Sequence, residues 1–203
     1  MERKLRLSIF ICAASLAGLA LAEAGTTASG DDLVYAATAS PGGKTLTSWA
    51  VAHTKWAIQH SAPADSKNCS KLPQPSAPTR FVPLVSGKET VRCTFPAGGA
   101  IVFPAGANYC KVDSKTPAPK LRSVCDAGVA QVKSVALTVD GTPISALMAG
   151  YRILTPTFSA NYPKGNTFGA KPGTIKTVAA GWVIILRPLP PGQHTLRGTL
   201  KIK

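Results

Sequence analysis

The chain has 203 residues, with 23 Lys or Arg against nine Asp or Glu and a formal charge of +14. That length suits one ordinary domain. A 45% hydrophobic content excludes a wholly disordered chain, and nothing repeats as collagen or a coiled coil does. With 18 Gly and 17 Pro, a loop-rich, basic globular protein is expected.

The first 24 residues read as a secretory signal. Arg3, Lys4 and Arg6 form a positive head, Leu7 to Ala22 is uncharged and apolar, and Ala22-Glu23-Ala24 places small residues where a signal peptidase cuts. The run is shorter than the roughly 20 residues of a membrane span. Cys12 lies inside it, so a lipoprotein anchor is not expected. Cleavage after Ala24 leaves 179 residues with a net charge of +13 and places the protein in the periplasm or outside the cell. Four cysteines remain: Cys69, Cys93, Cys110 and Cys125. An even count in an exported chain reads as disulfides, for which three pairings exist. Cys69–Cys93 with Cys110–Cys125 is preferred, because sequence neighbours close without threading. Each bond stabilises by about 3 kcal/mol on loop-entropy grounds. No C-x-x-C spacing occurs, so a metal site built from the cysteines is not expected.

Residues 25–44 are rich in Thr, Ala, Ser and Gly and read as a flexible leader. A single β-rich domain is expected over 45–203. Leu46, Trp49, His53, Trp56 and His60 recur at steps of three and four and predict a helix capped by Thr45 or Thr47 and stopped by Pro63. Its two Trp residues are expected to dock it on a core. Residues 61–78 form a loop tethered at Cys69. Arg80 to Val85 contains Pro83 and suits an edge strand. Thr90 to Phe95 and Ala100 to Phe103 flank Pro96-Ala97-Gly98-Gly99, which predicts a hairpin. Ser134 to Val139 alternates, then Asp140-Gly141 marks a two-residue turn into Pro143 to Leu147. Gly181 to Leu186 has no polar alternate and should be a strand covered on both faces. After Pro188 to Gly192, His194 to Ile202 alternates as a half-wet strand.

Short strands, Gly/Pro turns and one N-terminal helix predict an all-β fold, a β-sandwich or jelly roll with the helix packed on it. A mixed α+β sheet is the alternative.

Three stretches carry a resemblance. They are Cys93-Thr94-Phe95-Pro96-Ala97-Gly98-Gly99-Ala100-Ile101-Val102-Phe103-Pro104 continuing to Asn108, Leu137-Thr138-Val139-Asp140-Gly141, and Ala179-Ala180-Gly181-Trp182-Val183 through Pro188-Leu189-Pro190-Pro191-Gly192-Gln193-His194-Thr195. With the Trp49/Trp56 helix, this resembles a family of exported bacterial proteins of unknown function, with C-x-V-P-A-G-K-x-I-F-F-P, L-x-V-D-G and D-G-Y-W-x-x-L-x-P-L-P-P-G-x-H-T blocks. The likeness runs from about Trp49 to the C-terminus and implies no activity. Ala180 stands where the family usually has Asp, and Gly99 where Lys is common.

Catalytic sets are thin. There is no G-x-S-x-G elbow, and His53, His60 and His194 form no metal-binding spacing. His53 and His60 lie two helical turns apart, about 10 Å by rise. No cofactor, metal or catalytic residue is expected. The densest basic set is Lys111, Lys115, Lys120 and Arg122, bracketed by Cys110 and Cys125. A disulfide-closed basic loop suits an anionic polymer or glycan, steered by the positive field and weakened by salt. The expected function is therefore a non-catalytic exported protein that binds anionic or glycan ligands at the cell envelope or outside, without a specific nucleic-acid partner. Two alternatives stand beside it. One is an exported hydrolase of glycans or esters using Glu89, Asp126, Asp140 and His194. The other is an assembly protein pairing through a strand edge.

Overall fold

The computed structural model describes residues 4–12, 30–60, 69–75, 78–83, 90–113, 116–144 and 150–203. In chain order it contains β1 (Lys4–Cys12), α1 (Leu46–Gln59), β2 (Thr79–Phe81), β3 (Thr90–Cys93), β4 (Ala100–Lys111), α2 (Leu121–Val129), β5 (Val132–Val139), β6 (Thr142–Ile144), β7 (Arg152–Leu154), β8 (Phe158–Tyr162), β9 (Gly173–Leu186) and β10 (Gln193–Ile202). The strands form two sheets. One runs β3-β1-β10-β5-β6, the other β2-β4-β9-β7 with β8 also on β9. The fold is mainly β.

β9 is the spine of the second sheet. Every residue from Thr177 to Leu186 is buried, as an uninterrupted apolar run requires of a strand covered on both sides. It pairs antiparallel with β4 from Ile101 opposite Leu186 to Lys111 opposite Thr177, with a bulge between Pro104 and Gly106. Gly106 is where the two sheets touch. A Cβ there would fall 2.6 Å from Leu200 Cδ1 and 3.6 Å from Val135 Cγ2, so a larger residue would have to displace the end of the Leu200 side chain.

α1 begins at Thr45, whose Oγ1 accepts from Ser48 N at 3.2 Å. Trp49 and Trp56 are buried, and their indole N–H groups donate to the Pro41 and Pro73 carbonyls at 2.9 and 2.6 Å. Both rings meet Phe81 edge-on. They belong to the core, as the helical stripe predicts. Pro63 lies outside the described residues. From Gly30 onward the segment read as a leader is packed: it carries two 3-10 turns, and Val34 is buried and bridges Leu186. Residues 25–29 are outside the described set.

β2 is an edge strand, as Pro83 suggests. The hairpin expected across Pro96 to Gly99 does not form. β3 belongs to the first sheet, beside β1, whereas β4 lies between β2 and β9 in the second. Gly99 closes against Pro78, where an added Cβ would come 2.5 Å from the carbonyl oxygen. β4 runs parallel to β2, and the connection is a crossover between sheets. The β5–β6 hairpin does form, with Asp140 and Gly141 at φ 52° and 85°. α2 and the strands β7 and β8 were not anticipated from the sequence.

The disulfides join Cys69 to Cys93 and Cys110 to Cys125, with Cα separations of 4.9 and 5.6 Å. The second is not the ends of an open loop, because α2 fills the interval and lays Leu121, Cys125 and Val129 against β4 and β9. β1, within the segment read as a signal, lies antiparallel to β10 and parallel to β3. Residues 13–24 of that segment are outside the described set.

Candidate functional site

Lys111 ends β4 at the mouth of a cleft of about 460 Å³. Such a volume falls in the range of small-ligand sites. One wall is Lys111, Val112 and Asp113; the other is the chain from Gly169 to Ile175, carrying Lys171. Val112 N donates to Lys176 O at 2.9 Å and holds the two walls in register. Asp113 makes a tight turn by accepting from Thr116 N at 2.9 Å, and its other oxygen lies 3.6 Å from Lys111 Nζ. No ion pair engages Lys171 among the described residues.

The far wall is held from within. Asn166, 8% exposed, donates through Nδ2 to the Pro163 and Ala170 carbonyls at 2.8 and 2.9 Å, and its Oδ1 accepts from Ala170 N at 3.1 Å. Phe168 packs on Tyr109 and Tyr162, with ring centres 5.9 and 6.2 Å apart. The loop is therefore braced by one amide side chain and one aromatic anchor, so a ligand meets a wall already in place.

Of the four basic residues singled out in the sequence, Lys111 lines the cleft. Lys120 and Arg122 are exposed at the start of α2 and do not line it, and Lys115 lies outside the described residues. Lys171 was missed. Its signal was present in the sequence: after Asp140 the remaining 63 residues hold no acid and eight bases.

Of the four groups named for acid–base chemistry, the three that are described are engaged. Asp126 pairs with Arg152. His194 Nδ1 lies 2.7 Å from Asp140 Oδ2, and its Nε2 donates to Pro190 O at 2.8 Å. Asp140 Oδ1 also accepts from Thr195 N at 2.6 Å. Burial disfavours the imidazolium, but the bonds to Asp140 and Pro190 and the Asp140 charge outweigh it, so the His194 pKa is raised. An Asp–His pair resembles part of a hydrolase triad. Here the nitrogen that would serve as base faces a main-chain carbonyl instead. The pair clamps the β5–β6 turn to the start of β10. Glu89 lies outside the described residues.

His53 is buried in the core. Its Nε2 must carry the proton, because its partner 2.6 Å away is the Val82 carbonyl. Its Nδ1 then accepts from the Tyr109 hydroxyl at 3.1 Å. Burial lowers the His53 pKa to about 4, against a smaller opposing effect of the Val82 bond. Burial likewise raises the Tyr109 pKa. No group of three or more potential metal ligands occurs among the described residues.

Comparison with protein-family models, curated proteins and solved structures finds no match to the chain.

Proposed function

We propose that the protein is an exported, non-catalytic β-sandwich that binds acidic polymers or acidic glycans at the cell envelope or outside. The observation that carries this reading is the braced cleft with Lys111 on one wall and Lys171 on the other, in a chain whose last 63 residues lack any acid. The two disulfides and the signal-like N-terminus support export. The engaged states of Asp126, Asp140 and His194 support binding over hydrolysis.

Chromatography on heparin resin at low salt tests it. The chain is expected to be retained and to elute as salt rises. The Lys111→Ala/Lys171→Ala variant should elute markedly earlier, and Lys120→Ala/Arg122→Ala should shift it less. Equal elution of the cleft variant and the parent overturns the reading.

One observation favours strand-edge assembly as a second reading. β1 fills the place between β3 and β10, and it belongs to the segment read as removable. A chain beginning at Gly25 would present Gln193–Ile202 and Thr90–Cys93 as open edges, which a second copy can pair. Light scattering over a concentration series is expected to show a dimer of that shorter chain. A strict monomer across the series rejects this reading.

A further inference from the structure

The place that β1 fills is a slot between two strands of the first sheet. On that side β10 pairs along nine consecutive residues, Gln193 to Lys201, and β3 along four, Thr90 to Cys93. Two strand spacings, about 10 Å, separate the flanks. Each flank is sided. Val91, Cys93, Leu196 and Gly198 are buried, with Leu200 packed on the same core, whereas Arg92, Arg197 and Lys201 are exposed on the outer face.

Removal of residues 1–24, the signal-like segment, empties the slot and leaves the main-chain groups along both flanks to be paired afresh. The new N-terminus does not refill it. Gly30 is lodged against the Pro143 carbonyl of β6, and β6 lies three strand positions from the slot, about 14 Å away. Residues 25–29 span at most about 18 Å, which leaves about one residue to pair. β3 closing on β10 would cover four residues of the nine. A second copy offers β10, already bonded to β5 on one side, or a β3 that is equally short. The vacancy therefore fits a strand that is free on both edges.

We propose that the slot of the processed protein receives a lone extended segment of another protein, apolar at alternate positions and acidic between them, antiparallel to β10 and parallel to β3. The apolar positions are those where β1 has Leu5, Leu7 and Ile9, opposite Leu200, Gly198 and Leu196. The acids belong opposite Lys201 and Arg197, four residues or about 13 Å apart along β10. No ion pair engages Arg197 or Lys201 among the described residues. β1 has Lys4 opposite Lys201 and Ser8 opposite Arg197. Like charges in register disfavour pairing and opposite charges favour it, so an acidic strand is the better occupant. The chain's charge of +14 draws a partner of that sign. Main-chain bonds along the slot supply affinity, and the alternating side chains supply selectivity. This shares with the strand-edge reading the loss of residues 1–24 and departs from it in the occupant.

For the test, the protein is produced with its leader and recovered after export, and its N-terminus is fixed by mass spectrometry. Calorimetry and amide exchange then follow two peptides of the sequence Lys4–Cys12, each with Cys12→Ser, one otherwise unchanged and one with Lys4→Glu and Ser8→Glu. The acidic peptide should bind at least tenfold more tightly and slow exchange of those amides in 193–202 that face away from β5. A scrambled peptide of the same composition should do neither. Arg197→Glu/Lys201→Glu, which alters exposed residues, should reverse the preference. Equal binding of the two peptides, binding of neither, or an unreversed preference in the charge-swapped variant overturns the proposal. So does a product that retains residues 4–12, or a monomer whose slot-side amides are already protected. A dimer with those amides protected supports the strand-edge reading and overturns this one; a monomer that takes the acidic peptide does the reverse. Where the processed protein does not hold its fold alone, refolding with the acidic peptide and not with the scrambled one is the expected result, and any other pattern overturns the proposal.

Discussion

Two histidines respond to acid in opposite directions. His53 is neutral in the fold, with its pKa lowered to about 4 from 6.5. The unfolded chain therefore binds the extra proton first, and stability falls as pH drops from about 6.5 towards 4. The whole window is worth about 3 kcal/mol, at about 1.4 kcal/mol per unit. Urea unfolding at several pH values should show that slope in the parent and lose it in His53→Asn. The variant should also be less stable at pH 7 by about 2–4 kcal/mol, since Val82 O or the Tyr109 hydroxyl is left poorly partnered. For His194 the sign reverses, because its folded pKa is raised. Its clamp contributes fully below pH 6.5 and fades as pH rises through the raised value. The stability gap between parent and His194→Gln should be widest near pH 5 and should narrow in alkali. A gap constant from pH 5 to 9 would show that the clamp does not titrate. Residue-level meaning was partly legible in the sequence. A threonine cap at Thr45 or Thr47 and Asp140-Gly141 as a turn follow from local chemistry, and the structure selects Thr45. The partners of His53 and His194 do not, because Val82, Tyr109 and Asp140 are 29 to 56 residues away.

Elements were legible where one periodicity acted alone. α1, the β5–β6 hairpin and the buried run in β9 are such cases. α2 was hidden by its cysteine. Leu121, Cys125 and Val129 are four residues apart and all buried, but the interval reads first as a basic disulfide loop. Leu121→Ala should destabilise by about 2–5 kcal/mol, the usual penalty for emptying a buried leucine site. Denaturant titration under oxidising conditions measures it, and a loss below 1 kcal/mol would mean that the disulfide alone seats the helix. The Pro96–Gly99 connection misled for another reason. A hairpin and a crossover share the same turn residues, and the distant pairings of β3 with β1 and of β4 with β9 separate them. Gly99→Ala should cost stability despite the higher stiffness of alanine, because the obstructing Pro78 O is main chain. A variant as stable as the parent would show that the contact relaxes freely.

For the whole molecule, the mainly β character and the cysteine pairing were readable, since both depend on composition and chain order. The cleft was not. Its two lysines are 60 positions apart, and they meet only because β9 runs back along β4. No helix among the described residues is long and apolar enough to cross a membrane. On the proposed function, retention on heparin should fall steeply with ionic strength, with a shallower slope in the Lys111→Ala/Lys171→Ala variant.

The cysteines are joined first to second and third to fourth along the chain. A polypeptide threaded through a translocation pore from its N-terminus, and oxidised as each thiol emerges, reaches the correct linkages by simple succession. If the chain is exported in that way, as proposed above, both covalent ties can be in place before β9 and β10 have cleared the pore.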